Sequence, residues 1–413
     1  MICVPCLSLP NRELRLSICR ATVDTETTFA PKFLAVTAQS LLIFCRPGAR
    51  DWRPKTALSK FRVRKHQMRP RRVSKINWML SCKRSKSAAR ALCRVVTTVR
   101  DLRTSVMQQL VRQRAARKLL SEMYEQFAES IVLHQDDVGM CHGANVAFLE
   151  LSQLGSITSG SVMVPCPWFA EAASMAATNP ELDLGVHLTL TAEKEFYRWR
   201  PVSDASKSTG LVDEQGFMWR DVSSVRKNAN LEAVKVELRA QIETAVASGF
   251  DVTHLDTHMG ATLAPEFCEI YLDLGVDYRL PVLITRKLSH YGPNNHIVGV
   301  GDGQFDSFVK SAKAKNLPVF ERVLETNFAR PSSVELDDDA YQKMFTQEQG
   351  GLTFAALHPN APGEVEVIEP RQFHVRTREY EIFSSKGYLN WLKQKPIKPI
   401  GMRVIRDAMR SAA

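Results

Sequence analysis

Beyond residue 130 the chain alternates short apolar runs with helix-periodic segments, and its chemically capable polar residues fall where the apolar runs end. Ser130 to Leu133 runs into His134-Gln135-Asp136-Asp137-Val138-Gly139, and Leu182 to Leu190 carries His187. Val252 to Asp256 brings His254 and Asp256 and continues to His258, while Leu352 to Leu357 ends in His358-Pro359-Asn360. Ser159 to Val164 and Val276 to Leu280 read as further strands. Gly143 to Leu154 (closed by Gly155), Trp168 to Ala177, Leu231 to Ala247 and Pro265 to Leu274 have helical spacing. The third of these sets Leu231, Val234, Leu238, Ile242 and Val246 on one stripe. Glu193 to Lys227 reads as an irregular excursion or small hairpin. Strands alternating with helices predict an α/β fold on a parallel sheet or a β/α barrel, whose C-terminal strand ends assemble the site.

The formal charge of +11 over 413 residues sums two unlike parts. Residues 1–120 hold 27 Lys and Arg against 5 Asp and Glu, and the remainder holds 28 against 39. The first part also carries six of the nine cysteines, Cys3, Cys6, Cys19, Cys45, Cys82 and Cys93, in no framework spacing. Crowded basic residues without periodicity predict low order there, with one basic amphipathic helix over about 87–127. Such an extension suits a nucleic-acid or anionic-membrane arm. It equally suits sequence read upstream of a native start at Met107 or Met123, and Glu13, Asp24 and Glu26 argue against a transit peptide. Phe33 to Cys45, the best apolar run, has 13 residues, against about 20 for a membrane-spanning helix. An odd cysteine count predicts reduced thiols and a cytoplasmic protein. The division expected is a basic extension over 1–125, a β/α domain over 126–395 and a basic tail over 396–413.

Adjacent carboxylates on a loop are most often solvated or capping groups. Asp136 and Asp137, however, follow an apolar strand and precede a glycine, so one can hold a divalent cation while the other takes a proton from water. His187 alone reads more readily as a core histidine with satisfied hydrogen bonds than as a ligand. On a strand His254, Asp256 and His258 face one side, which is costly unless they are paired, solvated or bound to metal. One Asp and two His from separate strands make a 2-His-1-carboxylate set open to water. His358, by itself a cap or loop residue, could supply the second acid/base group.

Residues 130 to 380 resemble the YdjC/ChbG carbohydrate deacetylase family. His134 to Gly139 is similar to its opening Asn-Ala-Asp-Asp-Phe-Gly, Gly155 to Val164 to its small-residue segment, and Gly185 to Leu190 to its Gly-x-His-x-x-Leu. His254 to His258 matches its His-x-Asp-x-His, and His358-Pro359-Asn360 its late His-Pro-Gly. The resemblance implies a distorted, TIM-like β/α barrel, metal ligands at Asp137, His187 and His258, Asp136 as general base and His358 as acid. By position it places His254 and Asp256 behind His258 as orienting partners and Arg279 near Asp136. The departures, His134, Gln135, Val138, Asn360 and Met259-Gly260, are expected to shape the pocket floor and rim. Tyr197, Trp199, Trp219, His290 and Tyr291 are candidates for stacking on sugar rings.

The function expected is therefore metal-dependent removal of an acetyl group from an N-acetylated sugar or oligosaccharide. One divalent ion is required, Mg or Zn foremost, with Mn, Co or Ni also compatible. The partners are the sugar substrate and, as an allowed state, a second copy in a homodimer, with no membrane span. The alternatives are hydrolysis of another amide or ester on the same scaffold, and nucleic-acid binding through the basic extension, which ranks below the enzyme.

Overall fold

In a computed structural model the described residues are 125–292, 297, 299–328, 336–346, 350–394 and 396–411, with scattered positions from 104 to 122. The basic extension and most of its expected helix lie outside them. Six parallel strands form a curled sheet: β1 (Ser130–Val138), β2 (Ser159–Val162), β3 (Leu184–Leu188), β4 (Leu255–Thr257), β5 (Arg322–Glu325) and β6 (Thr353–Leu357). Their order is β4-β3-β2-β1-β6-β5, with the short β7 (Lys398–Pro399) pairing the start of β1. Single parallel bridges, Leu255 to Val282 and Thr285 to Phe320, reach across the gap between β4 and β5. The sheet is thus a half-barrel curled toward closure, the distorted α/β arrangement expected.

β3 and β6 are buried at every position, because parallel strands covered on both faces need continuous apolar sequence. The covering helices α1 (His142–Leu154), α2 (Phe169–Thr178), α3 (Val222–Asn228), α4 (Leu231–Ala247), α5 (Cys268–Tyr278) and α6 (Asp302–Ala314) precede β5. After it come α7 (Asp338–Thr346), α8 (Glu364–Ile368), α9 (Phe373–Ser384), α10 (Lys386–Lys393) and α11 (Met402–Ser411). Gly155 ends α1 in the left-handed region at φ 72°, its N–H closing on the Leu151 and Ser152 carbonyls. α4 buries Val234, Leu238 and Ile242 as its stripe predicts, whereas Leu231 and Val246 at its ends are exposed. The same face buries Gln241, which bonds both the N–H and the carbonyl of Thr189 just beyond β3.

One segment differs from expectation. Val276 to Leu280 is no strand, because α5 continues to Tyr278 and Arg279 closes it at φ 55°. Of its apolar residues Val276 is exposed on α5, and Leu280 is buried beyond the cap, its N–H donating to the Gly275 carbonyl. The stretch from 396 joins the fold as β7 and α11, which buries Met402 and Ile405. The excursion after β3 is irregular, with one antiparallel bridge from Val212 to Met218, and its end from Val222 is the helix α3.

Candidate functional site

Successive residues of a regular strand point to opposite faces, yet Asp136 and Asp137 both line one cavity of about 710 Å³. The register of β1 against β2 slips between Gln135 and Val138, and Asp137 is left-handed at φ 62°. Asp tolerates that region better than most residues, and the irregularity turns both carboxylates inward. His187, His258 and His358, at or just beyond the ends of β3, β4 and β6, line the same cavity.

Asp137, His187 and His258 each offer a ligand atom, all within 4.8 Å of one another. Asp137 Oδ1 lies 3.4 Å from His187 Nε2 and 3.2 Å from His258 Nδ1, and is buried without a hydrogen-bond partner. Each imidazole turns its other nitrogen to a carboxylate: His187 Nδ1 is 2.9 Å from Asp256 Oδ1, and His258 Nε2 is 3.1 Å from Glu193 Oε2. Such carboxylate partners fix the tautomer and aim the free nitrogen at a metal. The donor set, with its orphaned oxygen, fits a divalent ion. Burial pushes the Asp137 carboxyl upward, but Arg376 and the two imidazoles outweigh it and hold it well below the usual range. Arg376 NH1 lies 2.8 Å from Asp137 Oδ2.

Asp136 is not one of this set, though with His187 and Asp256 it makes another group whose ligand atoms lie within 4.8 Å of one another. Its Oδ1 is 3.3 Å from His134 Nε2 and its Oδ2 is 3.6 Å from His358 Nε2. Burial, with the charges of Asp256, Asp137 and Glu325, raises its pKa well above the carboxylate range despite His187, as befits a group that accepts a proton. His358 donates its backbone N–H to Glu379 Oε2 at 2.6 Å. Burial first, then Arg376, push its imidazole well below the ordinary value. It is therefore neutral at rest and a strong acid once protonated.

Six ionisable groups close a ring around the cavity wall. Asp137 meets His258, His258 meets Glu193, and Glu193 Oε1 is 2.7 Å from Lys194 Nζ. Lys194 pairs with Glu369, whose Oε1 is 3.1 Å from Arg376 NH2, and Arg376 returns to Asp137. Buried charges persist only when paired in this way.

Of the expected residues, the structure brings Asp136, Asp137, His187, His258 and His358 together and sets Asp256 behind them. Asp256 orients His187 rather than His258, because it lies beside His187 in the β3–β4 register. His254 orients neither: its Nδ1 meets Thr253 Oγ1 at 2.9 Å, its ring packs 4.9 Å from His134, and burial lowers its pKa to about 3. A Cβ at Gly185 would lie 2.4 Å from that ring, which accounts for the glycine two residues before His187. Arg279 is not at the site. It caps α5 and donates to the Arg410 carbonyl at 3.0 Å, while Arg376 of α9 takes the position beside an aspartate.

Gln135 and Asn360 do not line the cavity. Gln135 Nε2 donates to the Ala144 carbonyl and Asn360 Nδ2 meets Cys141 Sγ, so both brace the start of α1. Of the aromatic candidates only Tyr291 lines the cavity. Trp199 is buried, with its Nε1 on the Thr191 carbonyl, and Tyr197 donates to the Met140 carbonyl. Sequence reasoning missed Arg376, Glu193, Lys194, Glu369 and Glu379. The available signal was helical periodicity, for Arg376 and Glu379 share the buried face of α9 with Val375, Ile382 and Phe383.

Among the described residues no helix is long and apolar enough to cross a membrane. The chain is 39% identical over 162 residues to a carbohydrate deacetylase of Thermus thermophilus, covering 39% of this chain and 56% of that one. The match thus spans little more than half of that relative's length. A carbohydrate deacetylase of Brevibacillus brevis is 31% identical over 240 residues, covering 55% of this chain and 92% of the relative. A solved structure of an Enterococcus faecalis protein named for cellobiose-phosphate cleavage shares the fold, with a TM-score of 0.54 and 21% identity over 67% of this chain and 99% of that one. The family described as YdjC-like protein matches residues 130–394, the stretch that carries the curled sheet and every residue of the site, and the chain belongs to that family.

Proposed function

We propose that the chain is a metal-dependent hydrolase that removes the acetyl group from an N-acetylated sugar. The observation that carries this reading is the convergence of Asp137 Oδ1, His187 Nε2 and His258 Nδ1 beside an upshifted Asp136 and a downshifted His358 on one cavity. The names of the T. thermophilus and B. brevis relatives support the acetylated sugar as substrate. A divalent ion held by the three ligands would supply Lewis-acid polarisation of the amide carbonyl and activation of water. Two imidazoles and a carboxylate suit Zn, and also Mn, Co or Ni, while Mg favours oxygen donors.

The remaining work falls to the chain's own side chains. Asp136 takes the proton as the water oxygen bonds to the acetyl carbon. His358, neutral at rest and 3.6 Å from Asp136, takes that proton from Asp136 and delivers it to the nitrogen as the carbon–nitrogen bond breaks, leaving acetate and a free amine. Glu379 holds the His358 backbone, and Asp256 and Glu193 hold the two imidazoles. The catalytic domain is assigned to residues 126–395, with the basic extension dispensable for the chemistry.

Acetate release from N-acetylated chitobiose, with chelator and then with each metal added back, tests the reading. Release should require metal, and Asp136→Asn should lower turnover by about 10²–10⁴-fold with metal content unchanged. Undiminished release after chelation, or in Asp136→Asn, would refute it.

A further inference from the structure

The cavity lining has two unlike stretches, which meet where Arg376 stacks on Phe328. One is the charged ring of Glu193, Lys194, Glu369 and Arg376; the other carries Tyr291, Val323, Glu325, Phe328 and Ala356 beside His358. The second stretch follows from strand register. β5 pairs with β6 in parallel so that Val323 lies opposite Phe354 and Glu325 opposite Ala356. Alternate residues share a face, so Val323 and Glu325 sit beside Ala356, and His358 follows two positions on. Phe328 continues from β5 to stand 4.8 Å from the His358 ring at an interplanar angle of 74°, with Arg376 Cζ 5.4 Å from its centre.

A proton donor to the leaving amine must stand on the side from which the amine departs. That side is the stretch holding His358, and it combines an aromatic ring with a carboxylate. A pyranose offers the matching chemistry, with a C–H face that packs on an aromatic ring and hydroxyls at its edge that donate to a carboxylate. The charged stretch has its cations engaged by carboxylates and carries Ile368 and Pro370 beside Glu369, but no phenyl or phenol ring.

We infer that Tyr291, Glu325 and Phe328 form the subsite for the sugar ring that leaves as the amine. Phe328 packs against the C–H face, Glu325 accepts a hydroxyl hydrogen bond, and Tyr291 bounds the far edge. This rests on the proposed amide hydrolysis and adds which stretch of the lining holds the sugar and which residues select it.

The test is steady-state acetate release from N-acetylated chitobiose by the full, metal-loaded chain. Phe328→Ala should raise KM by about tenfold while kcat changes by no more than about threefold and metal content is unchanged. Phe328→Leu, which keeps apolar volume but removes the aromatic face, should also raise KM, and Phe328→Trp should restore it. Glu325→Gln should raise KM severalfold. An unmoved KM in both Phe328→Ala and Phe328→Leu, or a loss confined to kcat, overturns the subsite while leaving the hydrolase reading intact. A metal-loaded wild-type chain that releases no acetate overturns that reading and the subsite with it.

Discussion

At the residue scale the site depends on what stands behind each ligand. Glu193 holds His258, and Asp256 holds His187. Orienting partners of metal-bound histidines typically contribute about 10–100-fold in affinity, so Glu193→Gln should weaken metal binding by that order. Arg279→Ala, at the α5 cap, should leave it unchanged. Competition against a chromogenic chelator reads both, and equal loss in the two variants would contradict the placement. Acidity should oppose loading. Burial lowers both His187 and His258, but nearby carboxylates outweigh it and raise both above the ordinary histidine value. Since the ligands must be neutral, metal uptake near pH 7 should release protons, and affinity should fall as pH falls. Calorimetry in buffers of different ionisation enthalpy measures the release, and a buffer-independent heat would count against it. The paired aspartates and three histidines were legible because their chemistry is unusual at strand ends. Glu193 and Arg376 were not, since nothing local marks a charge whose partner arrives from a distant element.

At the element scale, position follows from strand ends and from two breaks in regularity. The register slip and left-handed Asp137 at the end of β1 put two consecutive carboxylates on one face. Beyond β4, Met259 and Gly260, both at positive φ, turn the chain sharply after His258. Gly185 allows the His254 ring to lie against β3. Gly185→Ala should therefore cost about 1–3 kcal/mol through overpacking, read as a lowered denaturation midpoint at unchanged slope. A wild-type midpoint would show that the ring can move aside. β1 to β4, β6 and the helices α1, α2, α4 and α5 were legible from periodicity, whereas α3, β5 and the helices from α6 onward were not anticipated. Val276 to Leu280 misled because a short apolar run fits a strand or a buried helix end equally. Arg376 was hidden for a related reason: a charge on the core face of α9 looks like an exposed one until its partner Asp137 is placed.

At the scale of the whole molecule, the six strands bring residues separated by more than half the chain to one cavity. One stretch of the lining is ionic and locked by mutual pairing, and the other is apolar with a carboxylate; Asp137 and His258 belong to the first, and His187, Asp136 and His358 line the same cavity. The sequence pattern pointed to this gathering because each strand delivers its polar residue at the same end. It could not assign the two stretches, which depend on the curl of the sheet and on α8 and α9 folding back across the strand ends.

Anomalous diffraction from crystals soaked in Zn would locate the ion outright. One ion is expected about 2.0–2.2 Å from Asp137 Oδ1, His187 Nε2 and His258 Nδ1, with Asp136 left unligated. An ion seated instead at the neighbouring His134, His254 and Asp256 cluster, or none at either position, would contradict that placement.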